Sequence, residues 1–323
     1  MCTCITIKTK DTYFGRTMDI DYNFGEKIVI TPKNYKFNLK NGTTFYTKYA
    51  MVGIASVIND YPLYADACNE SGLAIAGLSF PDNAYYKSPD KNKLNLASYE
   101  VIPYILGNFK TVDEILKKAN NINITNIAFS SHIPTTDLHW MVSDNKKSIV
   151  LEQLQDGLKI YENEIEVLTN NPPFEYQLTH INNYLNISPD VAINRFSKKL
   201  NLKPYGAGMG AIGLPGDNSP ESRFVRATFN KCNSLCNLDD ESSITQFFHI
   251  LDSVSVINGT IIKDNKANYK TIYSCCINLN RKVYYYKTYN NNQITAVNLK
   301  TPKNREYLTI YNLNDTQQIK YLN

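Results

Sequence analysis

The chain has 323 residues, of which 43% are hydrophobic and 20% are charged, and its net charge is +4. This content is sufficient to bury a full core, in one large domain or in two ordinary ones. The basic residues form no long run, so nucleic acid and membrane surfaces are not expected partners. The first residues alternate instead of forming a secretion signal, and no apolar stretch could cross a bilayer. We therefore expect a soluble, cytoplasmic protein.

The first 80 residues have the pattern of short strands separated by turns. Alternating or apolar runs occupy 2–9, 13–20, 27–31, 49–58 and 73–80. A turn at 10–12 joins the first two runs. This pattern favours an antiparallel sheet.

Helices and further strands follow. A helix is predicted over 96–109, and a capping box at Thr111 starts a second helix that ends near residue 120. Later helices are predicted over 174–185, from Ser219-Pro220 onward, and over 244–254. Later strands are predicted over 138–144, 148–153, 158–162, 166–170, 271–279, 282–289 and 293–299. With no repeat or linker between them, we predict one α+β domain over 1–323, with sheets packed face to face and helices outside.

A cysteine directly follows Met1. If Met1 is removed, Cys2 carries a thiol with an ordinary pKa of about 8.5 and an α-amine with a pKa of about 7.7–8.0. A terminal residue of this kind supplies both a nucleophile and a base, and needs no histidine. None of the four histidines lies in a triad-like motif. The alternative is that Cys2 is a small residue at the start of a strand.

The turn at 10–12 folds the second strand back beside the first, toward the amino terminus. This hairpin brings Arg16, and Asp19 or Asp21, near Cys2. An arginine there would stabilise a thiolate, and a carboxylate would hold an ammonium group. The alternative for Arg16 and Asp19 is a solvated pair on a strand.

Several motifs in one order resemble the choloylglycine hydrolase family, which contains conjugated bile salt hydrolases and penicillin V acylases. They are MCT (1–3), GRTMD (15–19), NESGL (69–73), VLTNNP (167–172) and LPGDNSPESRFVR (214–226). Three further stretches are similar to bile salt hydrolases in particular: NDYPLY (59–64), LHW (138–140) and TQFFHIL (245–251).

This resemblance implies the αββα sandwich of N-terminal-nucleophile hydrolases, with Met1 removed on maturation. Cys2 would be the nucleophile and its amine the base, with Arg16 against the thiol and Asp19 supporting the amine. Asn170 would donate to the oxyanion, and Arg223 would complete the charged cluster. No metal or organic cofactor is implied, and a homotetramer is expected.

Ser79 departs from the pattern of the family. Bile salt hydrolases usually have asparagine at this position and penicillin V acylases usually have tyrosine. The family uses the backbone N–H of this residue as a second oxyanion donor, and serine keeps that group. The contact that the family's side chain makes with the leaving amino acid is not expected for serine. Ala65 is also smaller than the residue expected in the related loop.

Two other motifs carry alternatives that we disfavour. Gly208–Gly213 matches the spacing of a dinucleotide-binding loop, but no buried strand precedes it and Pro215 interrupts any helix after it. The seven cysteines lack paired zinc spacing, and an odd number without a secretion signal argues against a disulfide framework. A labile redox pair of Cys2 and Cys4, which point the same way on a strand, stays open.

The sequence thus predicts an enzyme that cleaves the amide bond between a steroid acyl group and glycine or taurine. Met18, Ile133 and the loops at 22–26, 59–65 and 127–138 are the candidates for the apolar steroid pocket. The alternatives are penicillin V acylase activity, acyl transfer to a free amine, and a non-catalytic thiol, redox or binding protein.

Overall fold

The computed structural model describes residues 1–263, 266–300 and 306–323. Its strands are β1 (Cys2–Lys8), β2 (Thr12–Ile20), β3 (Lys27–Thr31), β4 (Lys36–Asn38), β5 (Thr44–Tyr46), β6 (Met51–Ile58), β7 (Tyr61–Asn69), β8 (Ala74–Ser79), β9 (Leu94–Ala97), β10 (Ile122–Thr125), β11 (Leu138–Ser143), β12 (Ser148–Leu154), β13 (Gly157–Glu162), β14 (Val167–Leu168), β15 (Lys270–Asn278), β16 (Val283–Thr288), β17 (Thr295–Asn298) and β18 (Thr309–Asn312). Its α-helices are α1 (Val101–Asn108), α2 (Val112–Lys118), α3 (Phe174–His180), α4 (Pro220–Asn233) and α5 (Asp240–Asp252).

Most strands belong to two antiparallel sheets. The first, sheet A, has the order β14-β1-β2-β15-β16-β17, so the amino-terminal strand lies inside the sheet and not at its edge. The second, sheet B, has the order β13-β12-β11-β8-β7-β6-β3-β18. Strands distant in sequence are therefore neighbours: β2 pairs with β15, and β8 pairs with β11.

The two sheets pack face to face, and strand alternation decides which side chains lie between them. On β1, the Thr6 hydroxyl lies 2.9 Å from the Ser143 hydroxyl of sheet B, so Cys2, Cys4 and Thr6 face the space between the sheets. The intervening Thr3 faces the other way and accepts a hydrogen bond from Arg223 of α4. A single strand thus presents one row of side chains to sheet B and the other to the helices.

Helices cover both outer faces. Helices α4 and α5 pack on β1 and β15 of sheet A, and α1 packs on β7 and β8 of sheet B. One hydrophobic cluster unites the facing sides of the sheets with α4 and α5, and a second unites the outer side of sheet B with α1 and α2. The layers are therefore helix, sheet, sheet and helix, and the predicted αββα sandwich is confirmed.

Two local predictions were wrong. The helix expected over 96–109 is an α-helix only over Val101–Asn108, because β9, which ends at Ala97, pairs with β10 and a 3-10 turn over Ser98–Glu100 follows it. The loop expected at 59–65 is mostly strand, since β7 starts at Tyr61 in the middle of sheet B. The predicted N-cap is confirmed, because the Thr111 hydroxyl accepts a hydrogen bond from the Glu114 N–H, but the Glu114 carboxylate accepts from the Lys110 N–H and so does not complete a capping box.

Within the residues described, no helix is long and apolar enough to cross a bilayer.

Candidate active site

The β1–β2 hairpin places Arg16 against Cys2. Cys2 pairs with Met18 and Cys4 with Arg16, so all four side chains face sheet B. The Arg16 side chain is fully buried, and its Nη2 donates to the Cys2 sulfur. Its Nη1 donates to the Gly77 carbonyl at 2.5 Å, which fixes the guanidinium in place. A cation held against a thiol favours the thiolate, the form that acts as a nucleophile.

Burial and nearby acidic groups act in opposite directions on the pKa of Arg16. Burial by itself lowers the pKa of the guanidinium, but Cys2 and other acidic groups nearby, including Asp66, reverse the effect and leave this pKa raised. Arg16 therefore stays charged at neutral pH. The positive charge beside the sulfur is permanent.

Asp19 lies on the opposite face of sheet A. Its carboxylate accepts hydrogen bonds from the hydroxyls of Thr271 at 2.6 Å and Thr17 at 3.1 Å. Its backbone carbonyl accepts from the Met1 amino group at 2.6 Å. Burial lowers the pKa of this amino group, and the nearby Cys2 and Asp19 offset only part of that effect. An amine in this position is biased toward the neutral form.

Asn170 and Arg223 meet at the backbone of Cys2. The Asn170 Oδ1 accepts from the Cys2 N–H at 2.9 Å and from the Arg223 Nη2 at 2.7 Å. The Arg223 Nη1 donates to the Cys2 carbonyl at 2.6 Å. The Asn170 Nδ2 donates to the Ser79 carbonyl at 2.8 Å. The structure thus gathers five predicted site residues around Cys2: Arg16, Asp19, Ser79, Asn170 and Arg223.

A cavity of about 650 Å³ opens beside Cys2. Its walls are largely apolar and come from the ends of β2, β6, β7 and β8 and from the loops near 22–24 and 129–136. The two pocket residues predicted from sequence, Met18 and Ile133, lie in these walls together with Phe24, Leu63, Ala65 and Phe129. Met1 also lines the cavity, so removing it would enlarge the space next to the sulfur.

Sequence reasoning missed several groups that hold this site. Asp66 is fully buried between the sheets, where it accepts hydrogen bonds from the hydroxyls of Tyr273 at 2.6 Å and Tyr284. Burial raises the pKa of this carboxyl group, and the charge of Arg16 partly opposes the rise. The carbonyl of Gly77 and the hydroxyl of Thr271 were also missed, because each contacts a residue that is distant in sequence. Of the groups that hold Asp19, only Thr17 lies inside a motif that the sequence analysis had identified, GRTMD.

Comparison with known proteins agrees with this geometry. Residues 2–318 match the model of the linear amide C–N hydrolases, choloylglycine hydrolase family. A bile salt hydrolase/transferase of Lactiplantibacillus plantarum is 46% identical over 309 residues, covering 95% of this chain and 94% of that protein. A penicillin V acylase of Pectobacterium atrosepticum is 26% identical, covering 73% of this chain and 61% of that protein.

A solved structure gives the same result in three dimensions. The C2A mutant of the conjugated bile acid hydrolase from Clostridium perfringens superposes with a TM-score of 0.93 at 37% identity, and each chain is fully covered. The family match, the full-length relative and the shared architecture are independent of the side-chain geometry described above. The chain belongs to the choloylglycine hydrolase family of linear amide C–N hydrolases.

Proposed function

We propose that the mature protein, without Met1, hydrolyses glycine- and taurine-conjugated bile salts through a thioester on Cys2. The observation that carries the proposal is the buried contact of Arg16 with the Cys2 sulfur at the inner end of a largely apolar cavity. A cavity of this size and lining fits an apolar acyl group with few polar atoms. The relatives named as bile salt hydrolases supply the class of acyl group.

In the proposed first step, the neutral α-amine of Cys2 takes the proton of the thiol, and the resulting thiolate attacks the amide carbonyl. The carbonyl oxygen gains charge, and Asn170 and the backbone N–H of Ser79 bind it. The Asn170 Nδ2 carries two hydrogens, and the bond to the Ser79 carbonyl uses one of them, so the other is left for the substrate oxygen. Losing one donor to such an oxyanion typically costs about 10²–10³ in rate.

In the second step, the α-amine of Cys2 passes a proton to the departing nitrogen of glycine or taurine. Asn170 already accepts a hydrogen bond from the nitrogen of Cys2, and Asp19 places a negative charge nearby. Water, activated by the same amine, then cleaves the thioester and releases the free bile acid. Each step uses residues of this chain.

Two related activities share these residues. A free amine could replace water in the last step and form a new amide, and the Lactiplantibacillus plantarum relative, whose name includes a transferase, favours this second activity. Penicillin V acylase activity is the alternative hydrolysis, and the lower identity of the acylase relative makes it the less supported one. A redox role for Cys2 and Cys4 is disfavoured, because burial raises the pKa of the Cys4 thiol well above its ordinary value and suppresses the thiolate.

Assembly, domain limits and location stay predictions. The segment 185–205 exposes Leu185, Phe196 and Tyr205 to 83%, 83% and 91%, which suits burial against further copies of the chain in the proposed homotetramer. One domain over 1–323 and a cytoplasmic location are proposed with it.

The test is release of amino acid from glycocholate and taurocholate, beside cleavage of penicillin V, by protein whose N-terminal mass is known. We expect release of glycine or taurine, loss of this release in Cys2→Ala, and its retention in the matched thiol control Cys4→Ala. Cleavage of penicillin V alone would move the protein to the acylase activity. Cleavage of neither substrate by protein lacking Met1 would refute the proposal.

A further inference from the structure

A histidine and a glutamate form a buried pair behind the proposed oxyanion site. His139 on β11 and Glu152 on β12 both face the space between the sheets, and neither side chain is exposed. The Nδ1 of His139 lies 2.9 Å from the Glu152 Oε1. His139 also follows Leu138, which lines the cavity. The proposed reaction does not use either residue.

The pair holds the segment 169–174, which carries Asn170, at both ends. The Nε2 of His139 lies 3.1 Å from the carbonyl of Thr169, and the Glu152 Oε1 accepts from the Phe174 N–H at 3.0 Å. A backbone carbonyl can only accept a hydrogen bond, so the Nε2 of His139 donates to the carbonyl of Thr169. We call this pair and its two backbone contacts the His139–Glu152 clamp.

The same histidine supports the second proposed donor. Its ring stacks on Phe80, with ring centroids 4.2 Å apart and planes inclined by 6°. Phe80 directly follows Ser79, whose carbonyl accepts from the Asn170 Nδ2. One imidazole therefore contacts both chain segments that would meet at the oxyanion.

We infer that His139 is a positioning residue that sets the distance between the Asn170 amide and the Ser79 N–H. This inference rests on the proposed function, in which these two groups bind the oxyanion. Displacing a catalytic group by about 1 Å can cost about 10²-fold in rate. The effect of the clamp should therefore fall on kcat, because the donors act mainly in the transition state, and leave KM little changed.

The kinetic test uses His139→Phe, which keeps an aromatic ring over Phe80 but cannot donate to Thr169 or Glu152. We expect kcat for glycocholate to fall about 10–100-fold with KM within about twofold. Adding Glu152→Gln removes the buried carboxylate that has lost its histidine partner, and it should restore thermal stability without restoring kcat. The matched control is Ser143→Ala, which loses buried hydrogen bonds at 2.9 and 2.7 Å on the same face of β11 but should keep kcat.

A second measurement is independent of activity. Hydrogen exchange across residues 169–176 should be faster in His139→Phe than in wild type, and unchanged in Ser143→Ala. If exchange there is unchanged in His139→Phe, or if its kcat matches that of Ser143→Ala, the inference is overturned. A wild-type protein that cleaves no conjugate refutes the proposed function instead, and the exchange data then decide whether the clamp exists.

Discussion

Replacing Arg223 with methionine tests the charged cluster behind the nucleophile. Arg223 is fully buried and donates four hydrogen bonds: to the Asn218 carbonyl at 3.0 Å, the Cys2 carbonyl at 2.6 Å, the Thr3 hydroxyl at 2.7 Å and the Asn170 Oδ1 at 2.7 Å. Each hydrogen bond to a charged group contributes about 1.5–3 kcal/mol. Burial removes the guanidinium from water, and this desolvation lowers its pKa. The cost of desolvation offsets part of the stability that the four hydrogen bonds contribute.

We expect a net loss of about 3–5 kcal/mol in the free energy of unfolding, because the variant leaves several buried acceptors unsatisfied at a cost of about 1–3 kcal/mol each. For a chain of 323 residues that corresponds to roughly 4–7 °C in Tm. Activity should fall as well, because Asn170 loses the contact that fixes its Oδ1. We expect kcat to drop about 10–100-fold at a temperature at which the variant is fully folded.

The matched control is Arg226→Met, three residues along the same helix. Arg226 donates three hydrogen bonds to loop carbonyls, at 2.7 Å to Ser253, 2.7 Å to Pro215 and 3.0 Å to Asp217. The Arg226→Met substitution should lower Tm but leave kcat within about twofold of the wild-type value. Urea unfolding and steady-state release of glycine measure both quantities. Equal kcat values for the two variants would refute the reasoning, since only Arg223 contacts β1 and Asn170.

Three further predictions use other parts of the site. In the mature enzyme, burial should lower the pKa of the Cys2 amine as it lowers that of the Met1 amino group, so kcat/KM should fall only as the pH drops below the ordinary range of about 7.7–8.0. A pH profile whose acid limb lies inside or above that range would contradict this. Asn170→Ala should lower kcat about 10²–10³-fold, measured with glycocholate, and a full-rate variant would remove Asn170 from the oxyanion site. Burial raises the pKa of Asp66, so above the ordinary pKa of about 4 the folded state keeps the carboxyl proton that the unfolded state loses. The stability of wild type relative to Asp66→Asn should therefore decrease as the pH rises above about 4, and urea titrations that show an increase would exclude this.

The parts of the site that sequence reasoning found depend on local chain geometry. The turn at 10–12 and the alternation on either side of it were sufficient to place Arg16 near Cys2, because a hairpin fixes its own register. Asp19 was placed near the amino terminus for the same reason. The segment with Asn170 and the helix with Arg223 came from the family resemblance, since neither has a local pattern that marks a site.

The groups that sequence reasoning missed depend on contacts between distant strands. Asp66 meets Tyr273 only because sheets A and B pack face to face, and their sequence separation is 207 residues. Thr271 reaches Asp19 through the pairing of β15 with β2. The start of the helix predicted over 96–109 was wrong for a related reason, because pairing with β10 draws its first two residues into a strand. No local pattern carries this information.

The central claim is that a free amino-terminal cysteine forms the acyl enzyme. Intact mass spectrometry of protein quenched in acid during turnover of glycocholate tests it most directly. We predict a species that lacks Met1 and carries one cholyl group, present in wild type and absent in Cys2→Ala. An active enzyme that retains Met1, or one that turns over without a cholyl adduct on Cys2 under rapid quench, would contradict the account.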